Sequence, residues 1–260
     1  ENAILYDSPL EVSQIPGNYT NDFPKTSYAE WDQGNCGNCW VWAGTAAVAQ
    51  SYKVFSGRSE PISVQFFNSN HFDGNIGQVK PHNWACTGGF AYSFAGAYDQ
   101  GLNQSYPDGP FVVPWSNYNA SYVDGTIDAD DQESKTTLLP KRLMSTKPNI
   151  RFNGMSAERL ISTNATNQTE AINNMTAVLA ERKVIWYAVY WPDNANLTRF
   201  RNFFDYQPND TYDPSVMNGL KWTNGSGHAM AIIGYNKTDA VKANWYWIVQ
   251  NSWGTSANRT

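Results

Sequence analysis

Between Cys39 and Phe55, the residues Val41, Gly44, Thr45, Val48, Tyr52 and Phe55 recur on one 3.6-residue face. Lys53 falls in the last turn and Gly57 is placed to stop the helix. The segment is small and apolar, which predicts a buried helix. Ser63 reads as the N-cap of a second, short helix, and a third is predicted from about Gly89 to Gln100 with Gly101 as its stop. Upstream, Pro, Gly and Asn break the first 35 residues, with Tyr6, Ile15, Tyr19, Phe23, Tyr28 and Trp31 as scattered anchors, so this part reads as an extended arm. Downstream, Asn167 and Glu170 cap a helix carrying Ile172, Met175, Val178, Leu179 and Arg182. Three strands are predicted, at Val184–Tyr190, His228–Tyr235 and Trp245–Asn251.

Two stretches carry no sustained period. In Phe111–Ile161, prolines at 114, 140 and 148 and the acidic run Asp128–Asp131 point to a decorated loop region, and Trp191–Gly227 is irregular too. No internal repeat is present. Helices first and strands later predict an α+β chain: an arm over 1–32, a helical part over 33–110 and a β-rich part over 111–260, with insertions at about 111–161 and 191–227.

Composition adds a chemical setting. Charged residues make up only 16% and the net charge is −5, so the basic excess needed for nucleic acid is missing. No window approaches the roughly 18 apolar residues of a membrane span. The surface is instead rich in amide and hydroxyl: there are 28 Asn, and Ser plus Thr number 38. About 4 Asn-x-Ser/Thr triplets are expected from that composition, yet 11 occur, at Asn18, Asn103, Asn119, Asn164, Asn167, Asn174, Asn196, Asn209, Asn224, Asn236 and Asn258. Each is a candidate N-glycan acceptor of a secreted or cell-surface protein. The chain begins at Glu1 with no charged-then-apolar leader, and reads as a mature or excised piece.

Three cysteines leave one thiol over unless pairing is intermolecular. Cys36 and Cys39 could form a redox pair, but no strand precedes them as in a thioredoxin-like unit; zinc would need a fourth ligand beyond the cysteines, and only His71, His82 and His228 are on offer. Alternatively Cys36 bonds Cys86 and Cys39 stays reduced at a helix start, where unpaired N–H groups favour the thiolate. If the last two strands pair antiparallel across Asn236–Asn244, His228 comes beside Asn251 or Ser252, and an Asn carbonyl there can orient the imidazole.

These residues resemble the papain family of cysteine peptidases. Gln33-Gly-Asn-Cys-Gly-Asn-Cys39-Trp40 is similar to the nucleophile signature, Gly227-His228-Ala229 with Gly234-Tyr235 to the histidine strand, and Asn251-Ser252-Trp253-Gly254 to the asparagine motif. Cys86-Thr-Gly88-Gly89 resembles the second disulfide half followed by substrate-binding glycines, and Ile62-Ser63-Val64-Gln65 the helix before it. The resemblance implies a two-lobe fold, a helical lobe against an antiparallel β-barrel-like lobe, with the cleft between. It implies Cys39 as nucleophile, His228 as its proton partner, Asn251 as orienter and Gln33 as oxyanion donor. It further implies a Cys36–Cys86 bridge, Trp253 shielding the His–Asn bond, Gly88 and Gly89 pairing with an extended peptide, and neither cofactor nor metal.

Three departures stand out. Cys39 and His228 are 189 residues apart, Gly227 stands where some members carry an acid, and the chain ends nine residues after Asn251 without the family's continuation and closing strand, so a pocket wall is expected to be missing. The expected activity is that of a secreted cysteine endopeptidase acting on peptides or proteins through a Cys39 thioester. The competing expectation is a structural, surface-layer or filament subunit on the same fold with little turnover.

Overall fold

The computed structural model describes residues 10–22, 31–71, 84–101, 111–115, 122–128, 150–152, 154–160 and 168–254. The segment read as a buried helix forms α1, Cys39–Ser56. Its first half is buried on every side, Trp40 to Ala46 without interruption, so it runs through the core as the small-residue pattern requires. Gly57 closes it with a backbone bond to the Lys53 carbonyl. The predicted apolar face holds as far as Val48 and Tyr52. Phe55 departs from it at 91% exposure, because the last turn has left the core.

Ser63 caps α2, Val64–Asn70, accepting the Phe66 N–H at 3.0 Å. The third helix is shorter than predicted: α3 spans Ala91–Gly96 and passes into a π turn, Ala97–Gly101. Gly89 lies before the extended N-cap Phe90, packed so closely that a Cβ there would strike the Trp40 ring. In the stretch read as decorated loop, β2, Phe111–Val112, pairs antiparallel with β3, Ile150–Arg151. Phe111, Val112 and Val113 are fully buried in the same core cluster as α1 and α2, so this irregular stretch supplies core as well as surface.

The helix expected from Asn167 is α4, Gln168–Ala180; Asn167 lies outside the described residues, and Arg182 falls beyond the helix end with φ 66°. Strand β4, Ile185–Trp191, follows. Trp191–Gly227 is not irregular throughout: it contains α5, Asn194–Tyr206, capped by Asp193, whose carboxylate accepts the Asn196 N–H at 2.8 Å.

The remaining strands are β5, Ser226–Asn236, and β6, Tyr246–Gln250, joined by the expected hairpin. β5 is the axis of the main sheet. β4 pairs with its first seven residues, and β1, Asn18–Thr20, pairs with its last three. Because β6 occupies the opposite edge over Ala231–Asn236, β1 continues the edge that β4 leaves. The N-terminal arm thus becomes an edge strand. Helix α1 packs against β5 and β4, with Trp40, Ala46, Ala229, Ala231 and Ile233 in one core, so the cysteine that opens the helix meets the strand that carries the histidine.

Candidate functional site

The approach to Cys39 is built by two chain segments sewn together. The Gln33 N–H donates to the Ser252 carbonyl at 2.8 Å and the Gly254 N–H to the Trp31 carbonyl at 3.0 Å, so residues 31–33 run beside 252–254. Gly34 then turns with φ 60° against the Gly125 backbone, where a Cβ would collide with the Gly125 carbonyl. The Asn35 N–H donates to that carbonyl, and the Tyr122 hydroxyl donates to the Gln33 carbonyl at 3.0 Å. Neither Tyr122 nor the 122–126 turn carried a signal in the sequence.

Cys36 is bonded to Cys86, and Cys39 is free and half-buried, so Cys36 is not available to pair with Cys39. Beneath the bridge the buried amides interlock. Asn38 donates to Asn68 Oδ1 at 3.0 Å, and Gln65 donates to the buried Asp124 at 2.9 Å. Trp40, the residue after the free cysteine, donates its indole N–H to the Ala85 carbonyl at 2.8 Å, and its ring backs Gly89. Gly88 beside it is exposed, with φ 92°. The two glycines are therefore fixed relative to the start of α1.

His228 is buried in β5, opposite Val189 of β4, and its Nε2 lies 2.7 Å from Asn251 Oδ1. That oxygen also accepts the Ser252 N–H at 2.8 Å, which identifies it as the carbonyl end of the amide. Nε2 must then carry the hydrogen, and neutral His228 keeps its lone pair on Nδ1. Trp253 stacks on the imidazole at 4.6 Å between ring centroids and 28° between planes; the fully buried Trp191 lies farther off, at 6.1 Å. Gln33 is placed by Ser252, whose hydroxyl donates to Oε1 at 2.7 Å, while Nε2 donates to the Cys36 carbonyl at 2.9 Å. A second Nε2 hydrogen remains outside these bonds.

Burial acts against both charged forms. It pushes the Cys39 thiol up, and backbone hydrogen bonds from Ala229, Trp40 and Cys39 itself only partly offset this. Burial likewise pushes His228 down to about 4, against the favourable Asn251 bond and helped by the Arg201 charge. Desolvation thus opposes the thiolate that the helix start was expected to favour, and it opposes the imidazolium as well. The Ala229 contact places the sulfur against the residue that follows His228.

A family model described as papain family cysteine protease matches residues 28–259. The chain belongs to the papain family. Among curated proteins, "Cysteine proteinase COT44" of Brassica napus is 24% identical over 257 residues, 96% of this chain and 59% of that protein. Among solved structures, the proform of the Amb a 11 cysteine protease of ragweed pollen aligns with a TM-score of 0.51 and 17% identity, covering 94% of this chain and 58% of that one. At that identity the likeness shows the fold, an α+β papain-like arrangement with the helical and β parts described above. The site residues missed from the sequence are Tyr122, Trp191 and the α5 residues Phe200, Arg201 and Phe204, while Ser252 was placed near His228 without its role toward Gln33. For α5 a signal existed, because Leu197, Phe200 and Phe204 follow the Asp193 cap at helical spacing.

Proposed function

We propose that this papain-family chain is a secreted or cell-surface cysteine endopeptidase that hydrolyses peptide bonds through a thioester on Cys39. The observation that carries the reading is the His228–Asn251 bond, which leaves Nδ1 as a free base on the strand whose next residue meets the Cys39 sulfur. As sulfur attacks the peptide carbonyl, its proton passes to Nδ1. The imidazolium gives that proton to the departing amine as the C–N bond breaks, leaving the thioester. Water, giving a proton to the same nitrogen, then cleaves the thioester, releasing the acid product and restoring the thiol. The Cys39 N–H and the spare Gln33 hydrogen would meet the oxyanion, and Trp253 excludes water from the His–Asn bond. The exposed backbone at Gly88 and the half-buried backbone at Gly89 would offer an extended peptide partners for pairing.

The extracellular setting is supported by the disulfide, which persists in oxidising compartments, and by exposed acceptors at Asn18, Asn209 and Asn224. Asn174, Asn196 and Asn236 are half-buried, and Asn103, Asn119, Asn164, Asn167 and Asn258 lie outside the described residues. No described helix is long and apolar enough to cross a membrane. Turnover of an unfolded protein substrate tests the reading: Cys39→Ala should lower kcat/KM by at least about 10⁴-fold. Turnover that survives Cys39→Ala contradicts it, and no turnover by the parent chain favours the structural-subunit reading.

A further inference from the structure

α5 holds a cation against the wall of the histidine. The Arg201 guanidinium carbon lies 5.9 Å from the Trp253 ring centroid, within cation–π range, and Phe200 and Phe204 of the same helix meet that indole edge-on at 5.5 and 5.6 Å. Trp253 in turn rests on His228. Arg201 is exposed and makes no salt bridge among the described residues, whereas Arg199 acts on the Asp213 carboxylate. Asp205, one turn on from Arg201, is the next acid on the helix and is half-buried.

The chemistry gives this position a direction. The amine that His228 protonates belongs to the part of the peptide after the cleaved bond, so that part leaves past His228 and its wall. Trp191 is sealed in the core, which leaves Trp253 as the wall that the departing segment can reach, with Arg201 over it. A guanidinium held over an indole still presents N–H edges that can grip a carboxylate with two parallel bonds.

We propose that Arg201 makes this chain select peptides bearing an acidic side chain immediately after the scissile bond. The proposal rests on the peptidase reading above. An acid there would also offset the Arg201 charge that opposes the imidazolium, so it assists the proton transfer as well as binding.

Matched peptides with Glu or Gln at that position test it in two ways: by hydrolysis with the parent chain and by affinity for the Cys39→Ala chain. The Glu peptide should be favoured about three- to fivefold in both measurements at low ionic strength, and less as salt rises. Arg201→Gln should bring the Glu-to-Gln ratio to about one, and Arg201→Glu should invert it. Equal affinities and rates for the two peptides, or a preference that survives in Arg201→Gln, overturn the proposal. A binding preference without hydrolysis sustains the acid site but defeats the peptidase reading, and neither binding nor cleavage overturns both.

Discussion

At the residue scale, the site turns on one oxygen. Asn251 Oδ1 takes hydrogens from both His228 and Ser252, fixing the imidazole in the form that can accept the Cys39 proton. Its own amide nitrogen is buried and meets no protein acceptor among the described residues. Asn251→Ala should therefore lower kcat more than stability, by about 10–100-fold, because Nδ1 and Nε2 then compete for the hydrogen. Kinetics and a denaturant titration on the same variant check both halves.

Stability should carry the mark of the buried imidazole. His228 has a folded pKa of about 4 against an ordinary 6.5, so below 6.5 the unfolded chain takes up a proton that the folded chain refuses. Its contribution is intact above pH 6.5 and lost as pH falls toward 4, by about 3 kcal/mol in all. Denaturant titrations of the parent and His228→Gln chains across that window should show the excess loss in the parent alone. Cys39, His228, Asn251, Gln33 and the Cys36–Cys86 pair were legible because each sits in a short motif of distinctive residues. The desolvation that acts on Cys39 and His228 was not, because it comes from residues distant in the sequence.

At the element scale, β5 carries the histidine and pairs with three strands, and α1 crosses it at the cysteine. The fit between α1 and α3 leaves no room at Gly44, where a Cβ would lie 2.6 Å from the buried Phe94 ring. Gly44→Ala should cost about 1–3 kcal/mol despite better helix propensity, read as a lower denaturation midpoint. Phe200 of α5 touches both Trp191 and Trp253. Phe200→Ala should cost about 3–5 kcal/mol and loosen the wall over His228, seen in denaturation and in near-ultraviolet tryptophan spectra. The predicted strands were legible because runs of apolar, aromatic and β-branched residues are local. α5 was hidden by its polar, asparagine-rich surface, and β1 by its length of three residues, which only pairing with β5 makes a strand.

At the scale of the molecule, an early and a late segment of the chain are tied at the site: residues 31–33 hydrogen-bond to 252–254, and β1 borders β5. That closure could not be read locally, since it joins segments some 220 residues apart. Around a described core rich in tryptophan, the triplet residues Asn18, Asn209 and Asn224 stand exposed on a chain of low charge. The bridge at sequence separation 50 restricts the unfolded chain, so Cys86→Ala should cost about 4 kcal/mol, whereas Cys39→Ala should leave the denaturation midpoint nearly unchanged.

The proposed activity requires Cys39 to be a nucleophile activated by His228. It is tested most directly by incubating the folded chain with a peptidyl epoxide under mild reducing conditions and mapping the adduct by mass. The expected result is a single adduct on Cys39, formed at least about tenfold more slowly in His228→Ala for loss of the base. An unmodified Cys39 in the folded chain, or labelling as fast without His228 as with it, would contradict it.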